Sequence, residues 1–112
     1  MATVEDLRSA ALACPEAVEQ PHWGAPAFRV NSKIFAQVAV KDWEAGGSFR
    51  AILKLDEARR MLLCEVEPDI FSPCVWGKHV SLFVALDGIG VERLTELVAD
   101  SWRTVAPRRL TR

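Results

Sequence analysis

A chain of 112 residues, 50% hydrophobic and 26% charged, has the size and make-up of one globular domain with its own core, which excludes a disordered or fibrous protein. Its 14 basic and 15 acidic residues leave a formal net charge of −1, so no global field draws it to nucleic acid or anionic lipid, and such contacts need a local patch. Three cysteines make no disulfide framework, no stretch reaches the roughly 20 apolar residues of a membrane span, and the acidic N-terminus lacks a signal-peptide pattern, so a cytoplasmic setting without membrane attachment is expected.

In chain order, Thr3 to Ala13 reads as a helix. Thr3 and Asp6 are spaced as a capping box, Val4, Leu7 and Ala11 recur at helical spacing, and Pro15 blocks continuation. Ala27 to Asn31 reads as a strand, Asn31-Ser32 as a turn, and Lys33 to Val40 as the return strand, with Ile34, Ala36, Val38 and Val40 on its apolar face. A polar loop is expected over Lys41 to Ser48, then a third strand from Phe49 to Leu55. Asp56 is placed to cap a short helix reaching about Cys64. Glu67 to Lys78, with Pro68, Pro73 and Gly77, reads as a loop, and His79 to Leu86 as a fourth strand ended by Asp87-Gly88. The last helix, Gly90 to Val105, carries the stripe Val91, Leu94, Leu97, Val98, Trp102 and Val105, and Pro107 stops it.

The expected order is αβββαβα in one domain over residues 1–112. Consecutive strands with short turns give an antiparallel sheet, and amphipathic helices must bury their stripes on one of its faces. The fold class is therefore α+β: a two-layer sandwich with helices packed on one sheet face and the other face open.

Period-two alternation assigns side chains to that open face: Arg29 and Asn31, then Lys33, Phe35, Gln37 and Ala39, then Arg50, Ile52 and Lys54, then His79, Ser81, Phe83 and Ala85. Interleaved cations and aromatics of this kind suit phosphates and bases. They equally suit a solubilised sheet face, with Phe35, Ile52 and Phe83 meeting a protein partner or a second copy. The basic ending, Arg103, Arg108, Arg109 and Arg112, reads either as an arm for phosphates or as helix C-terminal cations. Trp102 belongs to the core stripe, Trp23 is expected to pin its loop, Trp43 is the aromatic expected to be most exposed, and Trp76 stays open between pinning and lining a groove.

No arrangement demands a particular chemistry. Cys64, Cys74 and His79 lack the paired spacing of a zinc site, Cys14 and Cys64 read as small half-buried hydrophobes, and Gly46-Gly47 lacks the lysine of a phosphate loop. His22 before a glycine turn, and Asp56-Glu57 and Glu65-Glu67, read as structural and solvated groups. No enzyme, cofactor or metal is expected.

The set His22-Trp23-Gly24, Pro26, Phe28, Lys33-Ile34-Phe35-Ala36, Lys54, Phe71-Ser72-Pro73, Trp76-Gly77 and Trp102 through Leu110 resembles the small bacterial MmcQ/YjbR proteins across nearly the whole chain. One departure lies at Lys78-His79-Val80-Ser81-Leu82, where the family commonly has a glycine and an aromatic. The resemblance implies a CyaY-like (frataxin-like) fold and a "double-wing" arrangement for DNA. Iron binding does not follow from that fold. On this expectation Arg29, Lys33, Arg50, Lys54, Lys78, Arg108 and Arg109 meet phosphates, while Phe35, Trp43 or Trp76 stack or wedge. The alternative is a protein–protein or small-ligand module, possibly a homodimer, using the same open face.

Overall fold

The computed structural model describes residues 1–111, so Arg112 lies outside the described residues. The elements are α1 (Val4–Leu12), β1 (Val18–Glu19), β2 (Ala27–Val30), β3 (Lys33–Val38), α2 (Val40–Ala45), β4 (Arg50–Leu53), α3 (Glu57–Val66), β5 (Phe71–Trp76), β6 (His79–Ala85), a 3₁₀ turn (Leu86–Gly88), α4 (Val91–Val105) and α5 (Arg108–Thr111). The strands form one antiparallel sheet in the order β1-β2-β3-β4-β6-β5.

Local chemistry sets the element boundaries. The Thr3 hydroxyl accepts the Asp6 N–H at 3.2 Å and the Asp6 carboxylate accepts the Thr3 N–H at 2.9 Å, completing the capping box. Asp56 caps α3 by accepting the Arg59 N–H at 3.0 Å. Asn31 and Ser32 both take positive φ, 51° and 66°, as a two-residue type I′ hairpin turn requires. Helices α1 and α4 cover one sheet face. Leu7, Leu94, Leu97, Val98 and Trp102 are buried there with Phe28, Val30, Ala36, Val38, Ala51, Leu53, Leu82 and Val84. The Trp102 indole N–H donates to the Pro15 carbonyl at 3.0 Å, tying the turn after α1 to this layer.

Four elements go beyond the expected order: β1, α2, β5 and α5. The Lys41–Ser48 segment expected as a loop begins with α2, and the Glu67–Lys78 segment contains β5. Pro73 suggested a loop, but β5 is the outermost strand, and an edge strand accepts proline because its missing donor falls on the unpaired side. Phe71 at the start of β5 is buried and pairs with Val84.

A β-bulge alters the expected faces of β3. Phe28 pairs with Ala36 and Arg29 with Ile34, leaving Phe35 as the extra residue. Phe35 thereby turns into the core and is fully buried, so it is not an open-face aromatic. Ile34 moves to the open side with Arg29, and Lys33, paired with core-facing Val30, falls on the helical side of the sheet. Simple alternation gives the opposite arrangement because one extra residue inverts every side chain beyond it. The bulge also frees the Phe35 carbonyl from the ladder. The Ser101 hydroxyl of α4 donates to that carbonyl and accepts the Lys54 N–H at 2.7 Å, so both backbone groups are satisfied.

Candidate functional site

The register lays out the open face in rows. Ala27, Gln37, Ile52, Phe83 and Ser72 lie side by side across β2, β3, β4, β6 and β5. Arg50 pairs with Ala85 in the neighbouring row, and Ser81 with Cys74 on the other side. Over this floor lies a groove of about 600 Å³. Its floor is Gln37, Ile52, Phe83, Ser81 and Cys74, and its rim is His22, Trp23, Trp76 and the α2 residues Val40, Lys41 and Glu44. A cavity of this size with an apolar base and a few polar groups fits a small ligand.

Two tight turns build the aromatic rim. His22 and Ala25 exchange backbone hydrogen bonds at 2.9 and 3.1 Å, so Trp23-Gly24 forms the turn between them. Both turn residues have positive φ, 53° at Trp23 and 82° at Gly24. On the other side Trp76 pairs with His79, and the chain reverses through Gly77, φ 59°, and Lys78. A tryptophan at a turn cannot reach the core beneath, and Trp23 and Trp76 are 80% and 81% exposed. Trp23 does not pin its loop as expected; its ring stands edge-on to that of His22, at 6.1 Å between centroids. Trp43 is less exposed, at 39%, because it lies against Phe49 at 5.5 Å.

Arg50 is fixed between two partners. Its Nε and Nη2 donate to the two Asp42 carboxylate oxygens at 2.9 and 3.1 Å, and its backbone N–H donates to the same carboxylate at 2.9 Å. Its guanidinium lies 4.0 Å from the Phe83 ring centroid. The Arg50 hydrogen bonds hold the Asp42 carboxyl below the usual carboxylate range. The pair latches α2 to β4 and sets the height of the groove wall. Burial pushes the Cys74 thiol up, against the opposing pull of Arg50, so it stays protonated.

The other expected phosphate contacts do not converge. Arg109 donates to Glu16 at 2.7 and 2.8 Å, on the helical side, and this pairing holds the Glu16 carboxyl low. Lys33 is turned away by the bulge, Arg108 is exposed on α5, and Lys78 is exposed in the β5–β6 turn. Arg29 does stand on the open face, half-buried, with its Nε buried and without a hydrogen-bond partner. Lys54 is exposed one residue past β4. Among the described residues no group of three or more His, Cys, Asp or Glu is placed to hold a metal, and no helix is long and apolar enough to cross a membrane.

The rim residues Lys41 and Glu44 escaped the sequence reading because α2 did, and His22, read there as a structural group, stands on the rim as well. A usable signal was the repeated Trp-Gly pair, Trp23-Gly24 and Trp76-Gly77, which marks two turns that present an indole. A second hollow, about 420 Å³, lies between α1, α4 and α5 beside Ala10, Ala99 and Trp102; its one cation, Arg103, is paired with Asp100.

Comparison with known proteins gives two matches. Residues 12–104 match the family model described as YjbR. The chain is also similar to the crystal structure of Deinococcus radiodurans protein DR2400, a DUF419-domain protein. Identity is 28% and the TM-score 0.75, over 91% of this chain and 77% of that one. No curated protein matches.

Proposed function

The chain belongs to the YjbR family, and from its open-face groove we propose a non-catalytic binding protein that takes a small ligand with a flat apolar surface between Trp23 and Trp76. One observation carries this reading: two indoles, each about four-fifths exposed, rim the same groove from separate turns. An exposed indole costs free energy in water, and stacking a planar ligand removes that area from solvent. The Gln37 amide and Ser81 hydroxyl supply polar contacts at the floor. Binding is favoured over catalysis because the thiol in the groove is held neutral and the arginine is occupied by Asp42.

The test is titration with the dye anilinonaphthalene sulfonate. Trp23→Ala and Trp76→Ala are each expected to weaken binding about tenfold, in line with stacking contributions of about 1–3 kcal/mol. Trp43→Ala should leave it unchanged. Equal affinity in all variants would remove the groove as the site.

A second reading, DNA binding, is favoured by the same exposed indoles with Arg29, Lys54 and Lys78, none of which has a carboxylate partner among the described residues. Unpaired bases stack on indoles where duplex bases do not. A mobility shift at low salt with single strands, lost in Trp76→Ala, would support it. No shift with either single or double strands at about 50 μM protein rejects it, since nonspecific binding reaches this range.

A further inference from the structure

The open face carries an arginine that the protein leaves without an acceptor. Arg8, Arg50, Arg59, Arg60 and Arg93 are half-buried, and each donates from its guanidinium to a carboxylate or carbonyl oxygen. Arg29 is half-buried as well, yet it makes no ion pair among the described residues, and its Nε is buried without a hydrogen-bond partner. A partly desolvated guanidinium with no acceptor is costly, and a bound anion offsets that cost. Lys54 stands in the same row of the face. Leu53 and Leu55 on either side of it are buried in the core, so Lys54 faces the open side. Each cation lies two residues beyond the row of Ala27, Gln37, Ile52 and Phe83, Arg29 along β2 and Lys54 along β4, which runs in the same direction. Two strand spacings, about 10 Å, separate their backbones, a gap that two long side chains close from either side. The register that sets Leu53 opposite Leu82 sets Lys54 beside Ser81, a residue of the groove floor.

Resting on the groove reading above, we propose that the ligand carries a terminal phosphate, held by Arg29 and Lys54 with the Ser81 hydroxyl donating beside them, while its flat ring lies in the groove. Charge around the groove sets this orientation. At the α2 end Lys41 has Glu44 on the same rim, and Arg50 is occupied by Asp42. At the other end none of Arg29, Ile34, Lys54, Ser81 and Cys74 is acidic, and Asp56, the carboxylate nearest to Lys54 in sequence, caps α3. Two cations match the nearly double negative charge of a phosphate monoester better than the single charge of a carboxylate. They also suit one phosphate rather than a nucleic-acid backbone, which needs a longer line of cations, and a groove of about 600 Å³ has the size for a small molecule.

The test uses 2-naphthol and 2-naphthyl phosphate, which share a ring and differ in the phosphate, each titrated to displace the dye. The phosphate should act at about tenfold lower concentration, and its advantage should shrink at least about threefold from about 0.05 to about 0.5 M salt. The dye's sulfonate carries one charge against nearly two, so its own salt response stays smaller. Arg29→Gln and Lys54→Gln should each weaken the phosphate about fivefold and leave 2-naphthol unchanged, and Arg29→Lys should keep part of the loss from appearing; should Arg29→Gln fail to fold, Lys54→Gln carries the test. Equal displacement by the two compounds overturns the proposal and leaves the groove standing. So does a phosphate advantage that survives both substitutions. Failure of the groove itself is read separately, as dye affinity indifferent to Trp23→Ala and Trp76→Ala. A single strand of DNA without a terminal phosphate should displace the dye less well than 2-naphthyl phosphate; if it does better, the phosphate belongs to a nucleic-acid backbone and the small-ligand proposal falls.

Discussion

Ser101 is the polar side chain that the core closes over completely. Its hydroxyl serves two backbone groups that the β3 bulge and the end of β4 leave without ladder partners. Ser101→Ala strands both in an apolar setting, and an expected loss of about 2 kcal/mol follows. Urea denaturation should show a lower midpoint at unchanged slope. This role was not legible in the sequence: a serine beside a helical stripe reads as solvent-facing, and the partner carbonyl exists only because Phe35 is an inserted residue. The capping box of Thr3 and Asp6 was legible, because both partners lie within four residues. Ser32 gives the converse expectation. Its φ of 66° strains any side chain, so Ser32→Gly should stabilise by about 0.5–1 kcal/mol, read as a raised melting temperature.

At the scale of elements, α2 depends on one pair of charged groups. Asp42 caps no long helix; its carboxylate holds Arg50 through both backbone and side chain. Because the Asp42 carboxyl lies lower in the folded protein than in the unfolded chain, the unfolded state binds more protons at acid pH. The stabilisation is complete above the unfolded value of about 4 and fades as pH falls through the folded one. Asp42→Asn should therefore be less stable than the parent by about 1–2 kcal/mol at neutral pH, with the gap closing below about pH 4; chemical denaturation at several pH values checks this. Dye affinity should fall with it, since α2 walls the groove. The strands β2, β3, β4 and β6 and the helices α1 and α4 were legible because each repeats apolar residues at its own period, and α3 because Asp56 marks its cap. α2 and β5 were not. The first is six residues long with no buried side chain, and the second contains a proline that only its edge position permits.

For the whole molecule, charge pairing decides what the surface attracts. Arg8, Arg50, Arg59, Arg93, Arg103 and Arg109 all have carboxylate partners, so the formal near-neutrality of the chain is repeated locally. The two-layer α+β architecture and the open face could be read from strand and helix order. The cationic platform could not, because pairings such as Arg109 with Glu16 span most of the chain. Dye affinity at the groove is thus expected to change less than about threefold between low and high salt; a steep fall would mean that unpaired cations dominate after all. The sheet has two borders, β1 and β5, and a bare border invites strands from neighbouring molecules. β1 is only two residues long, and Pro73 interrupts β5. Strand addition is therefore disfavoured at both borders, and concentrated solutions of this protein are expected to stay free of cross-β aggregates.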